Sequence, residues 1–118
     1  MEVQAFNVNV TSEDPARLIA FYQDVVGLPR RPEIGAGAFG AGPAGFLVDG
    51  HSATHGKAQE PTRVLLTFSV VDAVAEEARL RAAGVEFVRP ATKEPWGGLV
   101  ATFADPDGNY CQLVQFRV

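Results

Sequence analysis

The sequence predicts an α+β fold built from two βαβββ modules. Three observations carry this. A strand–cap–helix–glycine order occurs twice in the chain. The two capping aspartates, Asp14 and Asp72, stand 58 positions apart in 118 residues. A turn signal, Asp105-Pro-Asp-Gly-Asn109, joins two apolar runs near the C-terminal end. A repeat of this length is one supersecondary unit, and neither copy can bury its apolar faces alone.

In the first module Val3–Val10 alternates, with Phe6, Val8 and Val10 on one face and Ala5, Asn7 and Asn9 on the other, the period of a strand with one buried face. Asp14-Pro15 then supplies an N-cap and a proline at the first helical position. Leu18, Phe21, Tyr22, Val25 and Val26 recur at helical spacing until Gly27 stops them. The second module repeats the order. Val64, Leu66, Phe68 and Val70 alternate, Asp72 caps, and Glu76 and Glu77 precede Arg79 and Arg81 along the helix, which suits its dipole. Gly84 ends it. Strands are then expected at Val85–Val88, Leu99–Phe103 and Asn109–Phe116. The first module should carry the same three, but GAGAFGAGPAG signals only Gly45–Val48. The expected organisation is a single domain over 1–118, with module one over 1–50, a connector over 51–61 and module two over 62–118.

Composition narrows the function. Apolar residues form 47% of the chain and charged residues 20%, a folded and not a disordered balance. Ten basic against fourteen acidic side chains leave −4, so no nucleic-acid partner is expected. No run reaches the roughly 20 apolar residues of a membrane helix, and MEVQAFNVNV lacks the charge and apolar stretch of a signal peptide. Cys111 is the single cysteine. A cytoplasmic protein without membrane contact is the expectation.

Three stretches, DPARLIAFYQDVVGL (14–28), VDAVAEEARLRAAGVEFV (71–88) and EPWGGLVATFADPDGNYCQLVQF (94–116), resemble the vicinal oxygen chelate superfamily. That superfamily includes glyoxalase I, extradiol dioxygenases, fosfomycin-resistance enzymes and bleomycin-resistance proteins. The resemblance implies paired βαβββ modules forming an incomplete barrel around a cup. In the metal-dependent members, cup-facing strands hold one divalent metal. The family's ligand positions fall here on Asn7 and Leu65, seven residues before each capping aspartate, and on Gln112, four after Gly108. Repeat symmetry adds Phe46, with Val48 as the shifted alternative.

That set is a poor one for a cation. Divalent catalytic metals take imidazole, carboxylate or thiolate donors. Amides are weak ligands, and Leu65 and Phe46 have no donor. The expectation is therefore no cofactor, and a small organic ligand held by Asn7, Asn9, Phe46, Leu65, Thr67, Trp96, Tyr110 and Gln112, with drug or metabolite sequestration by a homodimer as the concrete version. The alternative is a metal-dependent lyase, dioxygenase or isomerase using displaced ligands, His51, His55 or Asp49. The context of the two histidines, DGHSATHGKA, has no helical periodicity, so two loop histidines are the plainer reading.

Other signals are weaker. Gly35-Ala-Gly-Ala-Phe-Gly40 matches a dinucleotide fingerprint, but Gly42, Pro43 and Gly45 forbid the helix it needs. No Gly-x-Ser-x-Gly elbow is present. Glu33, Asp49 and Glu94 are loop carboxylates within reach of a cup. Trp96, between Pro95 and Gly97-Gly98, suits either packing or a flat ligand, as does Phe39. If Gln112 faces a cup, Cys111 faces the helices as a structural thiol.

Overall fold

The computed structural model describes all 118 residues. They form two compact units, Met1–Gly56 and Lys57–Val118, each with one open sheet. Neither sheet closes into a barrel.

In the first unit β1 (Asn7–Ser12) leads into α1 (Pro15–Ala20). The Asp14 carboxylate accepts the Arg17 N–H at 3.2 Å, and Ser12 Oγ accepts the Asp14 N–H at 3.0 Å. The cap satisfies N–H groups that a first helical turn leaves without partners. The helix runs on as a π-helical turn, Phe21–Val26, and Gly27 ends it in the left-handed region at φ 86°. There the N–H groups of Gly27 and Leu28 both bond the Tyr22 carbonyl. A hairpin of β2 (Ala38–Ala41) and β3 (Ala44–Gly50) follows, and β1 pairs parallel with β3 in the order β1-β3-β2.

The helix covers the face that carries Phe39, Phe46 and Val48. The Tyr22 ring lies 4.7 Å from that of Phe46, whose ring is 6.2 Å from Phe39. All four side chains are buried.

Two expectations change here. The strand begins at Asn7 and not at Val3, since the pairing of β1 with β3 starts at Asn7 opposite Gly45. Phe6 is consequently 72% exposed. The first module's extra strand is reduced to a bridge, Arg30 with Phe39, flanked by bonds from Arg31 N–H to Ala38 O and from Gly40 N–H to Pro29 O. Pro29 and Pro32 lack N–H donors and cut the ladder short. Arg30 pins the segment instead, with its guanidinium over the Phe39 ring at 5.1 Å and hydrogen bonds to Gln23 and Ala36.

The second unit is the complete module. β4 (Leu66–Ser69), α2 (Ala73–Ala82), β5 (Phe87–Lys93), β6 (Leu99–Ala104) and β7 (Tyr110–Gln115) form the order β4-β7-β6-β5. Asp72 caps α2 by accepting the Ala75 N–H at 3.0 Å. Gly84, at φ 93°, closes it, with the Val85 N–H reaching back to Leu80 O at 3.0 Å. Strand β5 starts two residues later than expected and runs on to Lys93. The helix-covered face holds Leu66, Ala101, Phe103, Cys111 and Leu113, all buried. Gln115 on that face accepts the Ala73 N–H at 2.9 Å. Asp105 builds the turn before β7. Its carboxylate accepts the N–H groups of Asp107 and Asn109, each at 2.9 Å.

Edge strand β5 carries irregular register between Phe87 and Thr92, which leaves outward backbone groups to be answered. Glu77 answers one. Its carboxylate accepts the Ala91 N–H at 2.6 Å and pairs with Arg81 at 2.7 Å. Burial pushes the Glu77 carboxyl up, but the Ala91 and Arg81 bonds outweigh it and hold the group below its ordinary value. A depressed carboxyl stabilises the fold fully above its unfolded value, about 4.3, and the contribution is lost as pH falls through the folded value. Glu77→Gln keeps an acceptor but loses the charge. It should cost about 1 kcal/mol at pH 7, and urea titrations at pH 7 and pH 3 should show the gap to wild type closing at the lower pH.

Candidate functional site

The facing of each side chain follows from strand register. In a parallel pair, residues in register point to the same side of the sheet. Asn7 pairs with Gly45, Asn9 with Leu47 and Thr11 with Asp49, so these share the face of the first sheet that no helix covers. Val8 pairs with Phe46, on the helix side. In the second sheet Thr67 pairs with Gln112, Gln112 with Thr102, and Thr102 with Arg89. This row crosses four strands on the helix-free face. Cys111 and Leu113 lie on the other face, in the core.

Of the residues expected to touch ligand, Asn7 and Asn9 fall on the helix-free face of the first sheet. Thr67, Tyr110 and Gln112 fall on that of the second, with Leu65 just before β4 in the same alternation. Phe46 does not join them. It is 4% exposed against Tyr22, and Val48 shares its side. Leu47 takes the place expected for Phe46, since Asn9 pairs with Leu47 as Thr67 pairs with Gln112. The reason is the turn. β2 and β3 are joined by Gly42-Pro43 alone, whereas five residues, Asp105–Asn109, join β6 and β7. Loop length sets register, and one position of shift exchanges the two faces.

The Gln112 side chain is half-buried. Thr67 Oγ1 donates to Gln112 Oε1 at 3.3 Å. The Asn7 amide lies across Gly45, in the space a Cβ there would fill. Arg89, at the end of the polar row, is bound to Glu94 at 2.6 Å. Between this row and the β5–β6 turn, Val100 and Val114 pair as a small apolar floor. Trp96 stands beyond them at the tip of the turn. Its ring overlies Gly98 and tilts at 40° against Phe116, 5.6 Å away, while the residue stays 54% exposed. Packing and an open aromatic face therefore coexist at Trp96. Phe39, by contrast, is core.

The positions where the family resemblance calls for metal ligands hold Asn7, Leu47, Leu65 and Gln112, which do not fit a divalent cation: two amides and two hydrocarbons supply no anionic or imidazole donor. The displaced candidates do not converge either. His51 Nδ1 accepts the Ala53 N–H at 3.0 Å, His55 Nδ1 lies 3.9 Å from a Glu13 carboxylate oxygen, and Asp49 ends β3. No three His, Cys, Asp or Glu side chains come together anywhere in the chain. Glu33 is committed to Arg31, whose hydrogen bond holds its carboxyl below the ordinary value, and Glu94 to Arg89. No helix is long and apolar enough to cross a membrane.

A family model for the Glyoxalase/Bleomycin resistance protein/Dioxygenase superfamily matches residues 5–113, and the chain belongs to that superfamily. Solved structures share its fold. A superfamily member from Sphaerobacter thermophilus is 16% identical with a TM-score of 0.75, covering 97% of this chain and 98% of its own. TioX from Micromonospora sp. ML1 is 24% identical with a TM-score of 0.74, covering 97% and 99%. A lactoylglutathione lyase from Agrobacterium tumefaciens is 19% identical with a TM-score of 0.73, covering 97% and 94%. No curated protein matches the chain.

Gly98 offers a check on the aromatic end of this face. A Cβ there would collide with the Trp96 ring and stand 2.6 Å from the Gln115 carbonyl oxygen. Gly98→Ala should displace the only tryptophan, shift its emission maximum, and lower stability by about 1–3 kcal/mol. Unchanged fluorescence and stability would show the ring to be seated elsewhere.

Proposed function

We propose that this protein binds a small organic molecule without a metal, as a sequestering member of its superfamily. The observation that carries the reading is the chemistry of the ligand positions. Gln112 stands where the metal-dependent relatives would be expected to hold a glutamate. A glutamine keeps the hydrogen-bonding capacity of that position and removes the negative charge that a cation requires. Asn7, Leu47 and Leu65 continue the pattern.

What remains is a mostly apolar surface with a few oriented polar groups, the usual make-up of a small-molecule site. On the second sheet it combines the polar row through Gln112 with the exposed half of Trp96, on either side of the buried Val100–Val114 pair. An aromatic drug or metabolite suits it, since an indole offers large apolar area at little conformational cost. We place the protein in the cytoplasm as a homodimer.

Two measurements on purified protein test this. Elemental analysis should find zinc, nickel, manganese and iron well below one per chain, and chelator treatment should leave ligand binding unchanged. A thermal-shift screen of flat aromatic compounds should give hits that also quench Trp96. Ligand at one hundred times Kd adds about 2.7 kcal/mol of stability. Stoichiometric metal, lost to chelator together with a lyase or dioxygenase activity, would overturn the proposal.

A further inference from the structure

We infer that the Arg89–Glu94 ion pair is a strap laid across the helix-free face of the second sheet, and that ligand binds when it is open. The inference rests on the binding reading above and adds a gate to that same site.

Val100, Thr102 and Val114 are 8%, 7% and 6% exposed. They are nevertheless on the face that no helix covers, where Val100 pairs with Val114 and Thr102 with Gln112. Small side chains on such a face need another cover. Arg89 and Glu94 supply one, and both belong to that face. Arg89 pairs with Thr102, and Thr92 with Val100. The Glu94 N–H bonds the Gly98 carbonyl at 2.8 Å, which sets Glu94 opposite Gly98. Opposed residues of an antiparallel pair share a side, and Gly98, Val100 and Thr102 alternate onto one side.

Thr102 and Gly98 lie about 13 Å apart along β6, at roughly 3.3 Å per residue. The charged groups of Arg89 and Glu94 still meet at 2.6 Å. They can do so only if both side chains lie down along the sheet, toward each other and past Thr92. The pair then runs beside Thr102 and Val100 instead of standing out in water. The Glu94 side chain is accordingly only 19% exposed. The apolar stem of an arginine suits this covering role.

The strap is light. An exposed ion pair of this kind favours its closed form by about fivefold at most. Apparent affinity falls by the fraction of molecules that are open, so the strap lowers affinity without locking the site. Opening it joins the polar row through Gln112 to the exposed half of Trp96, across the valine pair that is buried while the strap is shut.

The test is methyl NMR of valine-labelled full chain, with a neutral gadolinium chelate in solution to report exposure. Val71, 93% exposed, is the reference for a wet methyl group. In wild type the Val100 methyls should relax far more slowly than those of Val71. Arg89→Ala and Glu94→Ala should each raise the Val100 rate severalfold. The charge-reversed chain, Arg89→Glu with Glu94→Arg, keeps the combined reach and should restore protection. The two side chains hydrogen-bond only each other, so these variants should fold. 2-Ethylnaphthalene, a neutral probe, should bind the single variants about threefold more tightly than wild type or the reversed chain. Single variants that keep Val100 protected overturn the inference, as does exposure of Val100 with no gain in affinity. Either result leaves the binding reading standing. No binding of the probe by any form overturns the binding reading and the gate with it, whatever the methyl rates.

Discussion

The parallel pairing between the first and last strand of each module decides what every other residue does. Asn9 beside Leu47 and Thr67 beside Gln112 are statements about register, and register assigns each side chain to the helix side or the open side. A slip of one residue would bury Gln112 and expose Cys111 and Leu113. The core resists such a slip. Tyr22 against Phe46 in one unit, and Phe87 against Phe103 in the other, lock the helix-covered faces with ring contacts at 4.7 and 5.4 Å. Burying an aromatic residue of this kind is worth a few kcal/mol, far more than the exposed hydrogen bonds on the opposite face. The candidate surface is thus positioned by the opposite, helix-covered side of the sheet.

Charge tells the same story. Three acidic side chains of the second unit are occupied structurally: Asp105 builds a turn, Glu77 closes a sheet edge, and Glu94 neutralises Arg89. The helix-free face of the second sheet keeps hydroxyls, an amide and small apolar groups, of which Thr102, Val100 and Val114 are buried. Such a surface can orient an organic molecule. It does not gather the anionic or imidazole donors on which the superfamily's metal chemistry depends.

Much of this was legible in the sequence because its marks are local. Asp14-Pro15, Asp72, Gly27 and Gly84 delimit the helices through capping chemistry, and each does in the structure what its residue type permits. The DPDG turn placed Gln112 and Cys111 on opposite faces of one strand. The first module was harder to read. Its glycine and alanine run carries no alternation, so the two-residue turn at Gly42-Pro43 could not be distinguished from a longer one, and Phe46 stood in for Leu47. The prolines at 29 and 32 were the signal that the module's extra strand would shrink to a bridge. Phe6 alternates correctly with Val8, yet a period says nothing about where the partner strand begins. Trp96 shows a further limit, since its resting place over Gly98 and against Phe116 is a contact in space that no local pattern marks.

The register of β7 against its neighbours is the claim on which the rest stands, and thiol accessibility measures it directly. In wild type, Cys111 should react with a thiol reagent only at the rate of global unfolding, because it is fully buried. In a Gln112→Cys variant of unchanged stability, one additional thiol should react orders of magnitude faster while Cys111 stays protected. Rapid labelling of Cys111 in the native protein, or equal protection of both positions, would contradict the account.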